Sequence, residues 1–240
     1  MAMVKTVFFD IDGTLYEEKN AKIAAEIAVA RVIADEAKID FKDAFEVFLK
    51  SKKGVAKSLR GSPEQNDRCR WYADTLHILN VSTLDPIQLS GKYWEIMVGE
   101  IRPYPDLLAV LPELSRDYHL WAITDELADV QKKKLRALDL AKHFKGVISS
   151  SNTGFVKPDV RLFEYALREA KTTKDGAVMV GDDPRKDIKG ANNAGITSIM
   201  FKRGKFFFYP AQGDEMPKYA IEDYLALPSV LREITLQENP

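Results

Sequence analysis

From His119 onward the chain alternates short apolar runs with segments of helical period. His119 to Thr124, Gly146 to Ser149, Ala177 to Val180 and Ile196 to Phe201 read as strands. Asp129 to Leu138, Val160 to Ala170 and Arg185 to Ala194 read as helices between them. Strand and helix in regular succession predict a parallel sheet with helices on both faces. The apolar run Val4 to Phe9 is expected to join that sheet, because a lone strand ahead of a helical region has nothing to pair with. The expected fold class is α/β, a Rossmann-like parallel sheet core with an α-helical insertion.

The insertion follows the first strand. Residues 17 to 101 read as about four helices. Ile23, Ile27, Ala30, Ala34 and Ala37 keep three- and four-residue spacing, and Phe41, Phe45, Phe48 and Leu49 do so after Asp40, a candidate N-cap. Ser62-Pro63-Glu64-Gln65 combines an N-cap, a Pro at the first helical position and a capping-box Gln, and predicts a helix start. Asp85-Pro86 repeats the cap and the Pro ahead of Tyr93, Trp94, Met97 and Ile101. Arg102-Pro103-Tyr104-Pro105 stops helix propagation and reads as a hinge. The expected organisation is a Rossmann-like core of residues 1–15 and 102–240, with a helical domain of residues 16–101 inserted into it.

Composition narrows the function classes. Of the 240 residues, 45% are hydrophobic, enough for a sizeable core. Thirty-five Lys and Arg against 36 Asp and Glu give a net charge of −1, which argues against a broad basic face for nucleic acid. Any anion site must be local. No stretch reaches the roughly 18 apolar residues of a membrane span, and Val4 to Phe9 is too short for a signal segment. Cys69, the one cysteine, rules out an intrachain disulfide and reads as core filler. A cytoplasmic protein, monomer or homodimer, is expected.

The strand ends carry the chemistry. Asp10-Ile11-Asp12-Gly13-Thr14 follows the first strand directly, and side chains two apart on an extended segment point the same way. The second strand ends in Thr124-Asp125, Lys157-Pro158 precedes a helix, and the fourth strand ends in Gly181-Asp182-Asp183, with Asp187 four residues on. In a parallel sheet ligands collect at the carboxyl ends of strands, so these groups are expected to converge. Asp10, Asp12, Asp182, Asp183 and Asp187 in one crevice would repel one another strongly, so a cation is needed. Oxygen-only ligands favour a hard ion, and Mg²⁺ takes carboxylates, waters and a phosphate oxygen. Lys157 adds the positive charge that a phosphate dianion requires, Thr124 a hydroxyl donor, and the turn Ile11 to Gly13 free N–H groups.

In this combination the chain resembles the haloacid dehalogenase superfamily, whose four motifs are matched by Asp10-x-Asp12-Gly13-Thr14, by Thr124, by Lys157-Pro158 and by Gly181-Asp182-Asp183 with Asp187. The stretch Gly190-Ala191-Asn192-Asn193-Ala194-Gly195 continues the likeness. The resemblance implies that residues 16–101 form a helical cap. Only 32 residues separate Asp125 from Lys157, too few for the family's other cap position. It also implies that Asp10 is a nucleophile that forms an aspartyl-phosphate, and that Asp12 is the acid for the leaving oxygen and then the base for water. Thr124, Asp125 and Lys157 would bind the substrate phosphate. The metal would touch Asp10, the backbone carbonyl of Asp12 and Asp182, with Asp183 and Asp187 nearby. Position 125 is Asp where the family often has Asn or a small residue, so Thr124 and the backbone N–H of residue 125 are preferred to that side chain as phosphate donors.

An alkoxide needs a protonated partner to leave and a halide does not, so Asp12 favours a phosphatase over a dehalogenase. The expected activity is Mg²⁺-dependent hydrolysis of a small phosphorylated metabolite. The layout, including Tyr219-Ala220 before the last helix, resembles archaeal members acting on glyceraldehyde 3-phosphate or phosphoglycolate. Alternatives are a sugar-phosphate mutase, a 2-haloacid dehalogenase, a phospho-signalling receiver, which would lack the 86-residue insertion, and a non-catalytic binding protein. Tyr16 is expected to pack at the hinge, and Lys57 and Arg60 in a loop from Lys53 to Gly61 to be solvated. Trp71 and Trp94 read as core of the helical domain. Phe206 to Tyr209 is expected to cover a sheet edge, and Lys132-Lys133-Lys134 to form the wet side of a helix. His77, His119 and His143 fall outside the motifs.

Overall fold

The computed structural model describes residues 3–204, 206 and 208–237. The chain divides into two compact units, Met1–Glu18 with Arg102–Pro240, and Lys19–Ile101.

The first unit is built on six parallel strands. These are β1 (Thr6–Phe9), β2 (His119–Thr124), β3 (Phe144–Ser149), β4 (Ala177–Gly181), β5 (Thr197–Phe201) and β6 (Tyr219–Ile221), in the spatial order β3-β2-β1-β4-β5-β6. Every residue of β1 and of β4 is buried. A strand covered on both faces reads as a continuous apolar run, which is why these two are legible without alternation. Phe9 lies in register with Ala122 of β2 and Val180 of β4, so the residues that follow β1, β2 and β4 emerge together. Phe8, Ile123 and Met179 pack on one face of the sheet with Leu162, Phe163 and Ala166. Each fully buried large side chain there contributes about 1.5–3 kcal/mol of transfer free energy.

The second unit holds α1 (Lys19–Ala37), α2 (Phe41–Ser58), α3 (Arg68–Ile78) and α4 (Pro86–Glu100). Asp40 and Asp85 cap α2 and α4 as expected, accepting from the N–H groups of Lys42 and Ile87. Ser62 does not cap an α-helix. Pro63–Asn66 is a single 3₁₀ turn, and α3 starts after Asp67, whose carboxylate accepts from Cys69 N at 2.9 Å. The buried stripe of α1 runs through Ala21, Ala25, Val29, Ala30, Ile33 and Ala34 and leaves Ile23 exposed. That corrects the face expected from Ile23 and Ile27, because α1 is apolar on most sides and its periodicity does not single out one. The supposed loop at Lys53 is helical as far as Ser58, so Lys57 stands in the last turn of α2. Trp71 is buried, and Trp94 is half-buried against Arg68, whose guanidinium lies 4.4 Å from its ring.

The remaining helices belong to the first unit: α5 (Pro105–Asp117), α6 (Ala128–Ala137), α7 (Ser150–Thr153), α8 (Val160–Glu169), α9 (Lys189–Asn193) and α10 (Leu227–Gln237). Sequence reasoning missed α5. Pro105 follows a hinge-like Arg102-Pro103-Tyr104 and reads as a stop, yet it is the first helical residue, where its missing N–H costs nothing, and Leu107, Val110, Leu111 and Leu114 bury one face. The segment expected to be helical from Arg185 opens as a wider π turn, Pro184–Ile188, before α9. The edge of β5 is paired by β6 through the main chain. Phe208 is 90% exposed, the Arg185 guanidinium stacks over Phe206 and Tyr209, and Phe207 lies outside the described residues.

Candidate active site

Asp10 leaves the end of β1 with its N–H donated to Val180 O at 2.9 Å. The chain then turns sharply, Leu15 N donating to Ile11 O at 2.9 Å. Gly13 has φ +89°, and a Cβ there would stand 2.7 Å from Asp182 Oδ2. Only glycine allows both the left-handed backbone and this close approach. The turn is propped from below by Tyr224, buried, whose hydroxyl donates to Thr14 O at 2.6 Å.

Lys157 is the central cation. Its side chain is 4% exposed, and Nζ donates to Asp10 Oδ1 at 2.5 Å, Asp187 Oδ1 at 2.7 Å and Ile123 O at 3.3 Å. The Lys157–Pro158 peptide is cis. Burial alone would lower the Lys157 pKa, but Asp10, Asp187 and Asp125 outweigh it and hold the ammonium well above its ordinary value.

Asp10, Asp182 and Asp187 each bring one oxygen within 4.8 Å of the others, and all three are buried. Burial pushes the Asp10 carboxyl up to about 8 against the pull of Lys157, with Asp187 and Asp12 adding repulsion. Asp182 is raised well above its ordinary value by burial and then by Asp10 and Asp187. Asp187 is raised by burial, with Lys157 opposing. Three carboxylates therefore share one buried ammonium. That charge excess and an all-oxygen donor set fit a hard divalent cation such as Mg²⁺. Asp187, expected only nearby, is thus a member of the acidic triad. Asp183 is turned elsewhere: its carboxylate caps the π turn at Arg185 N and pairs with the Arg185 guanidinium at 2.9 Å.

The Asp12 carboxylate stands apart from the triad. Oδ2 accepts from Gln131 Nε2 at 2.6 Å, and Oδ1 accepts from Lys134 Nζ at 2.5 Å and from the Tyr16 hydroxyl. Burial acts to raise its pKa, but Lys134 and these hydrogen bonds prevail and hold the carboxyl well below the usual range. The expectation that Lys132 to Lys134 is a solvated face is therefore corrected. Lys132 and Lys133 are exposed, while the Lys134 side chain is 2% exposed and turned to Asp12. Tyr16 packs beside the hinge segment, bridging to Pro103, and is fully buried.

Thr124 Oγ1 accepts from Glu126 N at 3.1 Å and from Gln131 Nε2 at 2.8 Å, so its hydroxyl proton is what remains to donate. Asp125 Oδ1 accepts from Lys157 N at 2.8 Å and Oδ2 from Lys186 Nζ at 2.7 Å. Oδ1 is engaged by the Lys157 backbone and Oδ2 by Lys186, and a carboxylate would repel phosphate, which leaves the backbone N–H of residue 125 rather than its side chain as the donor to phosphate. Ser149 and Ser150 donate to the Glu126 and Asp125 carbonyls and hold the loop after β2. Sequence reasoning missed Gln131, Lys134, Lys186 and Tyr224. Only the i, i+3 spacing of Gln131 and Lys134 on α6 offered a signal, since it puts both on one helix face.

The family model for haloacid dehalogenase-like hydrolases matches residues 4–195. Glyceraldehyde 3-phosphate phosphatase of Methanopyrus kandleri is 30% identical over 237 residues, covering 97% of this chain and 99% of that protein. Among solved structures, a HAD phosphatase from Thermococcus onnurineus matches with a TM-score of 0.74 at 26% identity, covering 95% of this chain and 98% of that one. A 2-haloacid dehalogenase from Pseudomonas syringae pv. Tomato matches with a TM-score of 0.74 at 27% identity, covering 96% and 99%. Matched over residues 4–195, this chain belongs to the haloacid dehalogenase-like hydrolases.

Proposed function

We propose that the protein is a Mg²⁺-dependent phosphatase that hydrolyses a small phosphorylated metabolite through an aspartyl-phosphate on Asp10. One observation carries this reading: two carboxylates two residues apart are held in opposite environments, Asp10 in the buried acidic triad beside Lys157 and Asp12 on Gln131 and Lys134. Paired carboxylates in divergent surroundings suit a division into nucleophile and proton carrier. Without a cation or phosphate Asp10 is raised and Asp12 lowered; the division requires that a divalent cation on the triad ionise Asp10 and that the incoming phosphate dianion raise Asp12 into its protonated form. A dehalogenase would have no use for the second.

In the first step an Asp10 carboxylate oxygen attacks phosphorus, the bond from phosphorus to the substrate oxygen breaks, and that oxygen takes the proton of Asp12, which enters the step protonated beside the bound phosphate and leaves it as a carboxylate. In the second, water attacks the aspartyl-phosphate, Asp12 accepts its proton, and inorganic phosphate leaves with Asp10 restored. Proton transfer of this kind contributes about 10²- to 10⁴-fold. Thr124 donates its hydroxyl to a phosphate oxygen, and Lys157 supplies fixed positive charge. Mg²⁺, held by Asp10, Asp182, the Asp12 carbonyl and the neighbouring Asp187, would supply the charge that lets a phosphate dianion approach three carboxylates.

Residues 16–101 are read as the cap that excludes water and selects the substrate. The similarity to a protein named glyceraldehyde 3-phosphate phosphatase supports a three-carbon phosphate, with phosphoglycolate as the next candidate. The unpaired Cys69 accords with a reducing compartment, and we place the enzyme in the cytoplasm. Among the described residues no helix is long and apolar enough to cross a membrane.

A panel of phosphorylated metabolites with Mg²⁺ tests the activity, and rapid quench of the first turnover tests the roles. Asp10→Asn should abolish phosphate release. Asp12→Asn should slow the first step far more for an alkyl phosphate than for an aryl phosphate, and should leave phosphoenzyme accumulated. Near-parental release by folded Asp10→Asn, or equal losses for both leaving groups with no phosphoenzyme, overturns the mechanism.

A further inference from the structure

We infer that Lys134 and Gln131 are positioning residues of the reaction, which aim the Asp12 carboxylate and tie it to Thr124 so that the proton carrier and the phosphate donor are set as one unit. This rests on the reading of Asp12 given above. Gln131 Nε2 reaches Asp12 Oδ2 at 2.6 Å and Thr124 Oγ1 at 2.8 Å at once, and Lys134 Nζ fixes Oδ1 at 2.5 Å beside the Tyr16 hydroxyl. Gln131 and Lys134 lie on the same face of α6, so one rigid helix sets both contacts. The amide orientation is determined, because its other end would turn a carbonyl oxygen onto a carboxylate.

Stability is a poor reason for this arrangement. Replacing a buried ion pair by apolar side chains of similar size is often neutral or stabilising, and a buried face of α6 could hold leucine at lower desolvation cost. What the pair provides is direction. Held at both oxygens, the carboxylate is restricted in rotation about its side-chain bonds, yet 23% of the Asp12 side chain remains exposed. One edge is fixed and another is open to a reacting group. Misplacement of a catalytic group by about 1 Å costs about 10²-fold in rate, so such a clamp has consequences for turnover that its contribution to folding does not reveal.

The test compares Lys134→Met, Gln131→Met, the conservative Lys134→Arg and the exposed neighbour Lys133→Met, each also in an Asp12→Asn background. Lys134→Met should lower kcat about 10- to 100-fold with KM little changed, Gln131→Met should do the same to a smaller degree, Lys134→Arg should recover most of the loss, and Lys133→Met should match the parent. In the Asp12→Asn background the Lys134 and Gln131 substitutions should cost nothing further. Additive losses, or parental kcat in Lys134→Met, overturn the inference. A second reading comes from denaturant unfolding of the same set, in which Lys134→Met and Asp12→Asn should be strongly non-additive; independent effects overturn the clamp whatever the activity. Asp10→Asn in the same assay separates the two levels. If it retains turnover, the assigned reaction falls; if it is inactive while Lys134→Met is parental, only the clamp falls.

Discussion

Lys157→Met isolates the one ammonium shared by the acidic triad. Its Nζ sits 2.5 Å from Asp10 Oδ1 and 2.7 Å from Asp187 Oδ1, with the side chain 4% exposed. At an effective dielectric near 20 each contact is worth about 6 kcal/mol of Coulomb energy. Desolvation of the ammonium offsets much of that, and removing one partner from a buried pair nets a loss of about 3–5 kcal/mol. Met keeps the length of the stem, so the loss reports charge and not a cavity. For a chain of this size each kcal/mol moves Tm by about 2–4 °C, which predicts a Tm lower by about 6–20 °C in metal-free protein. Calorimetry after exhaustive chelation, at pH 7.5 and again near pH 5.5, is the assay. The deficit should shrink at the lower pH, where the orphaned carboxylates take up protons, and Mg²⁺ should recover part of it at the higher. A variant within about 2 °C of the parent at pH 7.5 without metal would refute the assignment of Lys157 as the charge that makes the triad tolerable.

The metal-free parent should lose stability as pH rises from about 4 to about 8. Asp10 is lifted from 3.8 to about 8, with Asp182 and Asp187 lifted too. The folded state therefore binds more protons than the unfolded state across that window, and stability present below 3.8 is lost as pH climbs through the folded pKa. Asp12, held low, contributes stability that is fully present above 3.8 and is lost only as pH falls below it, so it adds no slope in this window; Mg²⁺ should flatten the slope, and a rising or level Tm without metal contradicts the triad as described. Chelation should abolish phosphate release and Mg²⁺ restore it, with Ca²⁺ a poor substitute because its looser shell misplaces the nucleophile; full activity after chelation argues against any metal. Gly181→Ala would bring a Cβ to 2.4 Å from the Asp187 Cβ, so it should destabilise by about 1–3 kcal/mol and lower turnover by displacing Asp187, measured by denaturant unfolding and initial rates.

Sequence alone determined the α/β class, because β4 and the last three residues of β1 are apolar and the later strands and helices alternate at a legible period. The starts of α2 and α4 were legible too, since Asp40 and Asp85 are local capping signals that need nothing from the rest of the chain. The strand-end residues Asp10, Thr124 and Asp182 could be named because a parallel sheet forces its strand ends together once it forms, and Lys157 could be named from the Lys-Pro pair ahead of α8. The start of α5 was misread, because Pro105 before a helix and Pro after a helix look alike until the helix is seen. The face of α1 could not be chosen from an apolar pattern that runs most of the way round. The partners of Asp12 depended wholly on tertiary structure. Gln131 and Lys134 lie well over a hundred residues away, and Lys134 sits in a basic run that reads as solvated; only the packing of α6 beside the turn after β1 makes one of three lysines a buried ligand of a carboxylate. Local signals fix where elements begin and which strand ends meet, whereas burial and charge pairing between distant side chains are decided by packing.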